Sequence, residues 1–353
     1  MEESNLEGIN KYKRKLRLYL IFWIRIVFAK NNFKCSFINK VRANFGGGYL
    51  ADQWELYDLS HNDKREYLSE YDWHKSRYIN GEFDYVLNNK VIAAEMMRQY
   101  VRIPETHFVN YKSLLNGSDG KVKGYEDILV LIREKSQVVI KPISVGKGTG
   151  VNILAFDGVD YYIDKKKCDA QELIRFLKGR KNWFISEAMS QHQYASEIYN
   201  ETVNTMRIIT FRDTKTNEFK VFFAVQRIGT SETIPVDNGS RGGLVAKIDL
   251  ETGMLSEARS LHNKNIFKVH PDSGAPIEGV RIPEWSRIKE EILVLANCMP
   301  YLQFIAWDVI LTPEGEMCII EGNSSSGVNI IQLWGGQRYG ELGDFYRHHG
   351  VKC

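Results

Sequence analysis

The twenty residues FIAWDVILTPEGEMCIIEGN (304–323) constrain this chain more than any other stretch. Two apolar runs flank a turn at Pro313 to Gly315, the pattern of a β-hairpin with buried arms. A carboxylate interrupts the first arm at Asp308 and another ends the second at Glu321, with Asn323 two residues on. Counting back across the turn brings Asp308 and Glu321 together at one end of the hairpin. Two carboxylates and an amide oxygen are hard donors, suited to Mg²⁺ that keeps some waters and binds phosphate oxygens. A solvated strand end with an Asx-turn at Asn323 is the plainer alternative.

The rest of the chain reads as mixed strands and helices. VVIKPISVGKGTGVNIL is strand, glycine-rich turn, strand; NWFISEAM is another strand. TMRIITFRD and FKVFFAVQRIG pair around TKTNE, and GGLVAKIDLETGML repeats the pattern around ETG. Apolar residues at helical spacing predict helices from about Lys90 to Tyr100 and over IPEWSRIKEEILVLANCM. Antiparallel pairs mixed with helices give an α+β class. At 353 residues the chain exceeds one ordinary domain yet fits one compact enzyme. With 43% hydrophobic and 26% charged residues it has a globular composition, and a net charge of +3 is too mild to argue for nucleic acid. Cys35, Cys168, Cys298, Cys318 and Cys353 are scattered without metal-ligand spacing, which suggests a reducing, cytoplasmic compartment.

The N-terminus is the outlier. KYKRKLR (11–17) precedes LYLIFWIRIVF (18–28), which is apolar apart from Arg25. The run is shorter than the roughly 20 residues that cross a bilayer, and no small-residue cleavage site follows it. Two readings stay open: a first helix buried in an N-terminal domain, or a peripheral anchor on the inner membrane face, with cations for anionic lipid and aromatics for the interface.

Further candidates lie between these ends. SVGKGTG (144–150) offers backbone N–H groups to a phosphate, although it is not followed by the helix of a Walker loop. Lys141, on the strand just before it, can neutralise an α- or β-phosphate. Arg207 and Arg227 sit mid-strand among apolar neighbours, so they point into a cleft or pair with a structural acid. Asn238, beside SRGG, orients a phosphate or acyl group, or simply makes a turn.

The order of these parts resembles the ATP-grasp superfamily. VNTMRIITF, QRIGTSETIPVDNGSRGG, KIDLETG, HPDSG, IPEW and WDVILTPEGEMCIIEGN resemble, more closely, its sugar-transfer-associated family, over about residues 84–333. That resemblance implies two β-rich lobes clasping ATP, with residues 1–83 an added N-terminal segment, 84–190 the lobe with the glycine-rich loop, and 191–353 the lobe with the metal site. It implies that Lys90 and Lys141 contact phosphates and that Ser144, Gly146, Lys147, Gly148 and Gly150 lid the triphosphate. Glu187, Ala188 and Met189 would form the adenine hinge, and Asp308, Glu321 and Asn323 would hold Mg²⁺. Arg207, Arg227 and Asn238 would serve catalysis. Peptide-ligase members often carry an arginine two residues before the metal aspartate; here that residue is Ala306, and Arg227 is the substitute. The implied reaction is ligation of a carboxylate to an amine through an acyl phosphate. A hexuronic acid and an amino acid or amino alcohol are the implied substrates, in surface-polysaccharide synthesis. A sugar kinase of the same fold and a nucleotide-binding scaffold without turnover are the rival readings.

Overall fold

The computed structural model describes residues 2–145 and 149–353, with side chains described from Tyr12 onward. Two seven-stranded sheets organise these residues, and every strand pair in them is antiparallel. The α+β class expected from the sequence is the class observed.

The first sheet runs, edge to edge, β2 (Leu114–Gly117), β1 (Thr106–Tyr111), β7 (Trp183–Glu187), β3 (Gln137–Pro142), β4 (Asn152–Phe156), β5 (Tyr161–Ile163) and β6 (Lys166–Cys168). The period of two along β3 decides what faces where. Val138 and Ile140 are buried with Ile128, Ile132, Leu173 and Leu177 of the Tyr125–Lys135 and Ala170–Lys178 helices. Val139 and Lys141 therefore face the other way, toward the second sheet. Asp169 and Glu172 cap the second of these helices reciprocally, each accepting from the other's backbone N–H at 2.8 and 3.0 Å.

The second sheet runs β12 (Ile266–Phe267), β11 (Leu255–Ser260), β10 (Leu244–Ile248), β9 (Phe219–Ile228), β8 (Met206–Arg212), β13 (Phe304–Leu311) and β14 (Met317–Asn323). β13 is buried at every position because both faces are covered. Ile305, Trp307 and Val309 pack with Ile288, Ile292 and Leu295 of the Trp285–Asn297 helix. Phe304 and Ala306 pack with Phe345 and Tyr346 of the Glu341–His348 helix. Asp308 continues this second row, so the face that begins apolar ends in a carboxylate. Trp307 places its Nε1–H on Thr210 Oγ1 at 2.9 Å.

Residues before 84 form short helices, among them Phe37–Phe45, Ala51–Leu56 and Glu70–Ser76, around Tyr49, Trp54, Tyr57 and Tyr67. Polar side chains tie this part to distant sequence. Gln332 exchanges hydrogen bonds with the Leu68 backbone at 2.7 and 2.9 Å, and Arg338 pairs with Asp72 at 2.8 Å. Asn80 bonds the Phe304 backbone in both directions, at 2.8 and 3.1 Å. The N-terminal helix spans Glu2–Ile21 and continues as a π-helical turn, Phe22–Val27. Ile26 is buried there, but Tyr19, Leu20, Ile24 and Phe28 are exposed. None of the described side chains from Tyr12 to Ile21 is buried, so burial is confined to Ile26 in the turn that follows.

Candidate functional site

A cleft opens between the two sheets. Val139, Lys141 and Ile153 line it from the first sheet, and Arg227, Asp308 and Glu321 from the second. Register explains the second group. Asp308 on β13 stands opposite Arg207 on β8 and opposite Glu321 on β14. Arg207 in turn faces Val225 on β9, so Arg227 falls two residues along on the same face.

These charges are paired throughout. Arg207 grips Asp308 with two donors, Nε to Oδ1 and Nη2 to Oδ2, the latter at 3.0 Å. Arg227 Nη1 reaches Asp308 Oδ2 at 3.0 Å, and its Nη2 pairs with Asp237. Asp237 Oδ2 also accepts from the Thr205 backbone N–H at 2.7 Å and the Thr205 hydroxyl at 2.6 Å. Lys90 Nζ lies 2.9 Å from Glu321 Oε2, and Asn323 Nδ2 donates to Glu321 Oε1 at 3.3 Å. Lys90 opens the Lys90–Met97 helix, capped by Asn89, and its backbone N–H bonds Ile143 O at 3.0 Å, which holds it beside the end of β3. The helix ends at Met97, one turn short of the expected Tyr100.

Burial raises the Asp308 carboxyl, but Arg207 and Arg227 more than offset this and hold it well below the usual carboxylate range. Burial likewise works against the Arg227 charge, and Asp237 and Asp308 overcome it. Lys141 is different. Desolvation lowers its pKa, repulsion from Lys90 adds to that, and Glu321 pulls the other way without restoring it. Among the described residues, Lys141 is therefore the cation of the cleft whose charge the protein compensates least.

Asp308, Glu321 and Asn323 supply oxygen donors of the kind Mg²⁺ prefers. Among the described residues, however, no three His, Cys, Asp or Glu side chains converge on one point. Asp308 is held by two guanidinium groups, and Asn323 turns its amide N–H groups to Glu321 and to Ala306 O. Among the described residues, Lys90, Lys141, Arg207 and Arg227 stand close to Asp237, Asp308 and Glu321, with Glu187 also in the lining. The residues fit a divalent cation when it arrives with a polyanion that draws these cations away.

The remaining expected residues divide. Gly146, Lys147 and Gly148 lie outside the described residues. Ser144 is exposed, and Val145 lines the cleft in its place. Gly150 has φ +77°, which glycine tolerates best, and its carbonyl accepts from Arg180 Nη1 at 2.7 Å. The neighbouring Thr149 hydroxyl accepts from Arg241 Nη2 at 3.2 Å, a contact across the cleft mouth. Ala188 and Met189 line the cleft. Glu187 lines the cleft as well, and its carboxylate accepts from Arg102 Nη2 at 2.7 Å and from the Glu105 backbone N–H at 3.1 Å. Asn238 is the cap of a short 3₁₀ turn, its Oδ1 accepting from the Ser240 backbone N–H and hydroxyl, both at 2.9 Å. Its side-chain oxygen is committed, leaving only the amide N–H for a ligand.

Sequence reading missed Asp237, the buried acid that orients Arg227. It sits next to Asn238 in IPVDNGS, and an acid near two strand arginines that need a partner was the available signal.

A family model described as sugar-transfer associated ATP-grasp matches residues 71–340. No curated protein matches the chain. Among solved structures, an ATP-grasp ligase, PsnB, bound to a minimal precursor is 14% identical over 70% of this chain and 56% of its own, with a TM-score of 0.36. The ADP complex of the N5-carboxyaminoimidazole ribonucleotide synthetase purK is 15% identical over 69% of this chain and 46% of its own, with a TM-score of 0.40. The L-amino acid ligase from Bacillus licheniformis is 11% identical over 70% of this chain and 42% of its own, with a TM-score of 0.39. The chain thus spans about half the length of the structures it matches.

Proposed function

The chain belongs to the sugar-transfer-associated ATP-grasp family, and on that premise we propose that it is an ATP-dependent carboxylate–amine ligase working through an acyl phosphate. The observation that carries this reading is the charged floor of the cleft: Lys90, Lys141 and Arg227 beside Asp308 and Glu321 between the sheets, with Arg207 holding Asp308. Such a floor suits a triphosphate, whose transfer chemistry needs positioning and charge neutralisation more than covalent help.

In this reading Lys141 takes a nucleotide phosphate oxygen, because its charge is the least compensated. Lys90 turns from Glu321, and Arg227 from Asp308, toward the transferring phosphoryl group. Asp237 keeps Arg227 oriented, and Arg207 keeps Asp308 ionised and fixed. Mg²⁺, held by Asp308, Glu321 and Asn323, would neutralise charge on the phosphate oxygens. A carboxylate oxygen attacks the γ-phosphorus and ADP leaves. An amine nitrogen then attacks the acyl carbon, phosphate leaves, and the amine's surplus proton passes to solvent. The substrates proposed are a hexuronic acid and an amino acid or amino alcohol, in surface-polysaccharide synthesis; these rest on the family resemblance alone.

Hydroxylamine tests the reaction class. With ATP, Mg²⁺ and glucuronate or galacturonate, the acyl phosphate should be trapped as a hydroxamate. Glu321→Ala should abolish hydroxamate and ADP alike while keeping a cooperative melt. A stable phosphorylated sugar without hydroxamate would replace the ligase with a kinase, and nucleotide binding without any ADP would leave a scaffold.

A further inference from the structure

The N-terminal helix presents an exposed apolar surface outside the cleft. Tyr12, Leu16, Leu20, Ile24 and Phe28 recur every four residues and are each 48–74% exposed. Phe37, Val41 and Phe45 form a matching exposed stripe on the Phe37–Phe45 helix. Trp23 joins the two stripes, its ring 6.1 Å from both Phe28 and Phe45. The opposite flank is anchored to the body of the protein: Arg14 bonds Lys75 O at 3.3 Å and stacks with Arg17 on Tyr78, at 4.5 and 5.6 Å. The apolar stripes are therefore presented outward on a fixed base.

Charge identifies what covers them. Residues 8–45 hold ten lysines and arginines and no aspartate or glutamate, in a chain of net charge only +3. Lys13, Lys15 and Arg42 are exposed around the stripes. We propose that this face docks on an anionic lipid bilayer, its aromatic and aliphatic side chains entering the interface and its cations meeting the headgroups. Among the described residues no helix is long and apolar enough to cross a membrane, which agrees with a helix lying on the surface. A second copy of the chain is a poor occupant, because it would set two strongly cationic faces against each other.

The test is flotation of the full chain with two vesicle preparations, phosphatidylcholine alone and phosphatidylcholine with phosphatidylglycerol. The protein should float with the anionic vesicles, stay behind with the neutral ones, and be released as salt screens the headgroups. Leu20→Asp with Ile24→Asp should weaken binding at least tenfold. Lys13→Glu with Lys15→Glu should weaken it by about 25-fold or more, at about fivefold per cation. Neither pair touches the cleft, so melting and nucleotide turnover should stay unchanged. If the apolar pair unfolds the protein, the charge-reversal pair decides alone. The proposal is overturned if the chain does not float, if both pairs float like the parent, or if the face instead holds a dimer that Leu20→Asp with Ile24→Asp dissociates.

Discussion

Replacing Lys141 with methionine separates a ligand-binding lysine from a structural one, because the two roles predict opposite signs. Methionine keeps most of the side chain's volume and removes its charge. Desolvation disfavours that charge in the folded protein, and Lys90 disfavours it further. Its attraction to Glu321 is replaceable, since Glu321 keeps Lys90 at 2.9 Å. The unliganded Lys141→Met protein should thus be as stable as the parent or slightly more so. Its nucleotide affinity should fall, because a charge-assisted hydrogen bond to phosphate contributes about 1.5–3 kcal/mol, or about ten- to 150-fold in Kd. Lys90→Met is the control: it breaks the direct pair with Glu321 and should lower the melting temperature. Denaturant melts and calorimetric titration with ATP·Mg²⁺ read both quantities. A Lys141→Met protein destabilised by about 2 kcal/mol or more, with unchanged nucleotide affinity, would refute the reasoning and make Lys141 a structural partner of Glu321.

Other outcomes follow from the same geometry. Asp237→Asn leaves Arg227 beside an uncharged partner in a buried network, and should cost on the order of 3 kcal/mol of stability and lower turnover more than it raises the KM for ATP; equal effects on both would contradict its orienting role. Burial depresses the His107 pKa below 6.5 against the weaker pull of Glu105, so the unfolded chain takes up that proton first and stability is lost as pH falls below 6.5. His107→Gln should flatten this part of the stability–pH curve, and an unaltered curve in chemical melts would exclude the contribution. Trp307→Phe removes the hydrogen bond to Thr210 and leaves a void in a core without slack, at about 1–3 kcal/mol by equilibrium unfolding.

What could be read from sequence was local. The hairpin's turn sets Leu311 opposite Met317, and counting on from there puts Asp308 opposite Ile320; a β-bulge between Asp308 and Val309 shifts it to Glu321, so their nearness was legible and their direct pairing was not. Alternation along β3 similarly sends Lys141 to the face opposite Val138 and Ile140. The partner of Arg227 was hidden because Asp237 arrives through a loop, with no period to reveal it. The same holds for Glu187: its carboxylate looks available until the chain brings Arg102 and Glu105 beside it. The short helices before residue 84 have weak periodicity of their own. Their anchors are Gln332, Arg338 and the Phe304 backbone, more than 200 residues away, and nothing in a local window encodes them.

In the proposed reaction, phosphoryl transfer goes to a carboxylate and an amine then displaces the phosphate. Oxygen-18 in the carboxylate of a hexuronic acid follows that transfer atom by atom. With ATP, Mg²⁺ and hydroxylamine as the nucleophile, mass spectrometry should find one labelled oxygen in each inorganic phosphate released, because the acyl C–O bond breaks on the acid's side. Unlabelled phosphate, or label retained in a phosphorylated sugar, would contradict the account.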